Sequence, residues 1–154
     1  MFQVENKYQK QYSFDCFKNI NYEDFNMAEK IADFQLKHKG SSFSRDGEDN
    51  LVEVSNWESE GDIDVYGAVF GSLTVSININ DPDADSGEIS WAGEGFLPDG
   101  SRSIGFQKGT WKKDGKNEWK LSMRGRDSKE GNVSTESHIS LEALTWSGSI
   151  FRAE

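Results

Sequence analysis

The sequence predicts an all-β fold, a single antiparallel β-barrel of about eight strands, and three observations carry that expectation. The first is alternation: from Ile63 to Ile79 every odd position is Ile, Val, Leu or Gly, and from Ser72 onward every even position is polar. Period two sends one face to a core and the other to water. The second is regular punctuation by turn residues, with Asp-Gly pairs at Asp46-Gly47, Asp99-Gly100 and Asp114-Gly115. These residues tolerate the positive φ of tight hairpins. The third is glycine inside strand patterns: Gly67, Gly71, Gly93, Gly95, Gly125 and Gly148 all fall on the apolar parity. Glycine weakens a flat strand but suits one that must bend sharply, as closure of a small barrel requires. A β-sandwich is the alternative.

The whole chain, residues 1–154, reads as one domain. Its one compositional boundary follows Lys39, because residues 1–39 contain no Gly and no Pro. In that part Tyr8, Tyr12, Phe14 and Cys16 share a parity and suggest an opening strand. Asn21 offers a helix cap with Asp24 three residues on. Tyr22, Phe25, Ala28, Ile31 and Ala32 follow at helical spacing, so a short helix to about Asp33 is expected at most. A strand through Ala32, Phe34, Leu36 and His38 competes with it, and Gly40 should end either element. The barrel proper is expected over 51–152. Its strands are Leu51 to Trp57, Ile63 to Ile79, Glu88 to Leu97, Ser103 to Trp111, Glu118 to Arg126, Val133 to Leu141, and Leu144 to Phe151. The apolar parity flips between Leu141 and Leu144, which implies a bulge or bend near Ala143.

Only 34% of the residues are apolar, yet 12% are aromatic, including five Trp. Disordered chains lack such residues, so the expectation is a folded domain with a very polar exterior. Cys16 has no cysteine partner and alternates with apolar neighbours, which suits a buried, inert thiol. No apolar run approaches the ~20 residues of a membrane-spanning helix. The opening residues show no charged-then-apolar leader, so a cytoplasmic location and no membrane partner are expected.

The net charge of −10 is unevenly spread. Fourteen acidic residues and no Lys, Arg or His lie between Asp46 and Ser101, whereas Arg102 to Lys129 holds nine basic residues against three acidic ones. The acidic part is unsuited to phosphate backbones, and no nucleic-acid partner is expected. Acidic and basic strands are expected to pair across the sheet. An acidic face that covers a basic partner is the alternative.

Candidate chemistry is sparse. Asp81, Asp83 and Asp85 alternate like the start of a calcium loop, but the glycine, Gly87, comes one place late and Ala92 stands where a bidentate Glu is needed. An acidic hairpin turn without metal is expected. His38 and His138 could meet in a sheet, but two histidines do not define a zinc site. No Ser-His-Asp order, phosphate loop or paired-Cys spacing is present. No metal and no cofactor are therefore expected. Trp91, Trp119 and Trp146 each lie on the apolar parity of their strands, where they would be core or, in a barrel, line a cavity.

The run Ser86-Gly87-Glu88-Ile89-Ser90-Trp91-Ala92-Gly93-Glu94-Gly95, the Asp99-Gly100 turn, Gly109-Thr110-Trp111, Asn117-Glu118-Trp119-Lys120-Leu121 and Trp146-Ser147-Gly148-Ser149-Ile150 resemble the strand rhythm of bacterial allene oxide cyclase-like and lipocalin-like (calycin) barrels. The resemblance covers about residues 86–152 and implies an eight-stranded barrel with a ligand cavity. It transfers no catalytic residue. The expected function is binding of an apolar or aromatic small molecule by Trp91, Trp119 and Trp146, with a homo-oligomer possible. Cyclase- or isomerase-type catalysis in the cavity is one alternative, and the acidic protein-binding module is another.

Overall fold

The structure is a computed structural model that describes residues 28–154. The opening strand through Tyr8 to Cys16, the cap at Asn21 and the thiol of Cys16 lie outside the described residues. Eight strands follow: β1 (Lys30–Arg45), β2 (Asn50–Ile63), β3 (Gly67–Asn78), β4 (Ser86–Phe96), β5 (Arg102–Lys113), β6 (Glu118–Asp127), β7 (Gly131–Ser140) and β8 (Thr145–Arg152). Each pairs antiparallel with the next, and β8 returns to β1, so the sheet is a closed barrel without a free edge. Closure and alternation together decide the core. Positions of one parity, among them Phe34, Leu36, Trp57, Leu73, Ile89, Trp111, Leu121, Met123 and Trp146, are buried inside.

The inward glycines explain how so small a barrel holds five Trp. A Cβ on Gly71 or Gly93 would overlap the Trp91 indole, so these two bare positions form its slot. Gly109 and Gly125 lie where β5 and β6 coil closely, and a Cβ on either would meet the other strand's backbone.

Several expectations are corrected. The expected helix to about Asp33 is not found among the described residues: Lys30 onward is strand, and the competing pattern through Ala32, Phe34, Leu36 and His38 prevails. Burial along a period-two face outweighs the weak helical spacing. Gly40 does not end β1 either. The strand passes through it at a bulge between His38 and Gly40 and continues to Arg45. The long strand from Ile63 is cut by a turn, in which Tyr66 N donates to Ile63 O (3.1 Å) and Val65 and Gly67 both take positive φ. The parity flip near Ala143 is the turn between β7 and β8, residues 141–144, rather than a bulge within a strand.

The expected pairing of acidic with basic strands also fails at the centre of the basic segment. Register sets Lys108 opposite Arg124 and Lys112 opposite Lys120, because β5 and β6 are neighbours and both are basic. Oppositely charged contacts form elsewhere, at Lys39–Glu58, Lys37–Glu60 and Arg102–Glu94.

Candidate functional site

The chain enters β1 and leaves β8 at the same end of the barrel, here the mouth end, where the β2–β3, β4–β5 and β6–β7 turns also lie. A cavity of about 80 Å³ lies toward this end. Its two walls differ. Phe34, Leu36, Ile63, Val69, Trp91, Trp146 and Ile150, from β8 and β1 through β4, make an apolar wall. Facing it, β5, β6 and β7 contribute Ser103, Gln107, Asp127 and Thr135, with Met123 between them, and the charged side chains of Glu94 and Arg126 also border the cavity.

The apolar wall is built on aromatic edges. Trp146 is its hub, with ring centroids 5.0 Å from Trp91, 5.2 Å from Phe34 and 5.9 Å from Trp57, all edge-on. That geometry suits aromatic quadrupoles. The Trp146 Nε1–H donates to Ser137 Oγ and that of Trp57 to Ser55 Oγ, each at 2.8 Å. Two buried indole dipoles are thereby satisfied. Among the described residues the buried Trp111 Nε1 has no hydrogen-bond partner.

The polar wall is equally fixed. Thr135 Oγ1 donates to Gln107 Oε1 (2.9 Å). At the rim the Tyr66 hydroxyl donates to Asp127 Oδ2 (2.8 Å), while Asp127 Oδ1 accepts Lys129 N (2.9 Å) and Glu130 N (2.6 Å). One carboxylate thus holds its own turn and ties it to the β2–β3 turn. Burial raises the Tyr66 pKa, and the hydrogen bond and charge of Asp127 raise it further, so the phenol stays a neutral donor. Nearby, Arg152 bonds Glu29 (2.9 Å) and Glu130 (3.0 Å), fastening both chain ends of the barrel to the β6–β7 turn. Those two carboxylates hold its guanidinium more firmly protonated.

Of the three Trp singled out by sequence, Trp91 and Trp146 meet on the cavity wall, whereas Trp119 does not line it. Trp119 stands opposite Lys113 and Ile139 at the far end, half-buried against the core. His38 and His138 do not converge. His38 packs edge-on to Trp57 (5.3 Å) with Nε2 2.8 Å from Ser41 Oγ, while His138 sits on the outer parity, 3.9 Å from Glu118. Among the described residues no three His, Cys, Asp or Glu side chains are grouped to hold a metal ion.

Sequence reasoning missed Tyr66, Gln107, Asp127 and Thr135 as site residues. Gln107 and Asp127 were within reach, since each continues an inward parity already marked by Trp111 or by Met123 and Gly125. Fold and site define a closed eight-stranded antiparallel barrel with a two-faced cavity at one end. Compared with protein-family models, curated proteins and solved structures, the chain finds no match in any of the three.

Proposed function

We propose that the barrel binds a small ring-containing molecule at its mouth end, with the apolar body against Trp91 and Trp146 and one polar group toward Gln107 and Thr135. The observation that supports it most is the two-faced cavity, apolar and aromatic on one side with a few fixed polar groups on the other. That is the usual composition of a small-molecule site. At about 80 Å³ the cavity is well below the range that encloses drug-sized ligands, so the ligand is a single ring or one end of a longer molecule. With its oxygen engaged by Thr135, the Gln107 amide offers its NH₂ group as the donor. The rim fixed by Tyr66 and Asp127 lowers the ordering cost of binding. The calycin-like rhythm of residues 86–152 agrees with this reading.

The test is a tryptophan-fluorescence titration with single-ring probes that differ in polarity, such as toluene, phenol, benzamide and cyclohexanol. Polar ring compounds should perturb the emission saturably, Trp91→Ala should abolish the response, and Gln107→Leu should erase the advantage of phenol over toluene. Absence of a saturable response to every probe up to millimolar concentration would refute the reading.

A further inference from the structure

The outer face of β5–β6 carries a second feature, which meets the cavity only where Arg126 borders it. Outward positions run in rows across the sheet: Ala92, Phe106, Arg126 and Asn132 form one, and Ser90, Lys108, Arg124 and Ser134 the next. Four residues along, past the row of Thr110 and Ser122, Lys112 stands opposite Lys120, with His138 beside it on β7. Like charges directly opposite on a sheet repel. Among the described residues Lys108, Lys112, Arg124 and Arg126 make no ion pair within 4.0 Å, and Lys120 has only Asp114 at 3.7 Å. In the midst of these cations Phe106 is 62% exposed and its strand neighbour Ile104 45%. A large aromatic exposed at mid-strand, beside Arg126 and Lys108, contributes nothing to the core.

The shape of the patch selects the partner. Carboxylates border it on both sides, Glu88 and Glu94 on β4 and Glu136 on β7, the last accepting a hydrogen bond from Ser122. The positive strip is thus one hairpin wide. From Phe106 to Lys112 it runs about 20 Å at the usual strand rise. A planar anionic surface such as a lipid bilayer would meet the flanking carboxylates, whereas a linear polyanion laid along the hairpin would not. Exposed sheet aromatics flanked by Arg and Lys suit polymers whose charges alternate with flat rings.

The geometry points to single-stranded nucleic acid as the occupant, with one base stacked on Phe106 and phosphates held by Lys108, Arg124 and Arg126. The expectation of no nucleic-acid partner rested on the acidic segment 46–101, which supplies only the borders of this strip. Because Phe106, Lys108 and Arg124, the positions varied below, line no part of the cavity, the cavity can fail its own test without touching this one.

Fluorescence anisotropy of labelled dT15 and U15, with the full chain at 20 and 200 mM salt, is the test. Binding should be detectable at low salt and fall steeply with salt. The double variant Lys108→Glu/Arg124→Glu should weaken it more than tenfold and flatten the slope of log affinity on log salt by about 1.4, two single-strand phosphate contacts. Phe106→Ala should weaken it at least fivefold and leave that slope unchanged, the signature of lost stacking. All three positions are exposed, and circular dichroism melts check that the variants stay folded. No binding at 20 mM salt, equal binding by the double variant, duplex bound as well as single strand, or anionic vesicles bound in its place would each overturn the proposal.

Discussion

The two halves of the barrel wall are built on opposite rules. From β8 and β1 through β4 the interior is large and aromatic, and the outer cations on β1 and β5 that flank β2 and β4 find carboxylate partners. From β5 to β7 the mouth end of the interior alternates glycine with hydrogen-bonded polar groups, while Trp111, Leu121, Met123 and Val133 still pack the core below it. The outside of β5–β6 carries cations opposed to cations. One half holds the barrel together by packing. The other packs as tightly away from the mouth but turns polar where it lines the cavity, and it leaves like charges opposed on its outer face.

That contrast is broken most directly at Trp146. Buried to 3% exposure and touching three other rings, it should cost ~3–5 kcal/mol when replaced by Ala, read from urea unfolding. Trp91 is only half-buried because it faces the cavity, so Trp91→Ala should cost ~1–2 kcal/mol, below the range for fully packed Trp. Equal costs would make Trp91 an ordinary core residue and remove one side of the site.

Glycine supplies the second probe. Gly125→Ala sets a methyl group against the backbone of Phe106 and Gln107, which cannot rotate away, so a loss of ~1–3 kcal/mol is expected. Gly93→Ala meets the Trp91 ring first, with the Phe70 carbonyl oxygen next at 2.9 Å. A side chain can yield, so stability should fall less, while the fluorescence response to ring probes should disappear as the indole moves into the cavity. If both variants melt alike, the slot around Trp91 is no softer than the β5–β6 coil.

How much of this was legible in the sequence follows from the same contrast. Alternation and in-strand glycines gave the barrel and its strand number, because burial on one face of a closed sheet imposes period two on the chain. The inward facing of Trp91 and Trp146 followed. Tyr66 was hidden because the odd-parity run continues unbroken through Val65 and Gly67, and only positive φ at both residues reveals the turn that swings Tyr66 inside. The opposed cations were hidden for another reason. Composition shows that 102–129 is basic, but which strands become neighbours is a matter of topology, and β5 paired with β6 rather than with an acidic strand alone.

The rim offers a pH probe. Tyr66→Phe removes one hydrogen bond to a carboxylate and should cost ~1–3 kcal/mol near neutral pH. Because the folded pKa of Tyr66 is raised, the folded chain keeps a proton that the unfolded chain releases above pH ~10. The stability linked to this proton is complete below the unfolded pKa and declines as pH rises toward the folded one, by about 1.4 kcal/mol per pH unit. Wild type should therefore lose stability faster than Tyr66→Phe between pH 10 and 11.5 in urea titrations. Parallel curves would mean that the phenol is not held by Asp127 in solution.

The smallest expected effect is none at all, at the acidic β3–β4 turn. Asp81, Asp83 and Asp85 are exposed, and the backbone of their loop is already held by its own bonds. Asp81 N donates to Asn78 O (3.0 Å), Ala84 N to Asp81 O (3.3 Å) and Lys113 N to Asp85 O (2.7 Å). A calcium ion takes six to eight oxygens, and a turn fixed without it has no folding energy to gain from one. EDTA should leave the melting temperature unchanged at neutral pH, and Asp83→Asn should behave like wild type with or without chelator. A drop of several degrees with EDTA, abolished by Asp83→Asn, would show that this turn is a metal site and that both ends of the barrel bind ligands.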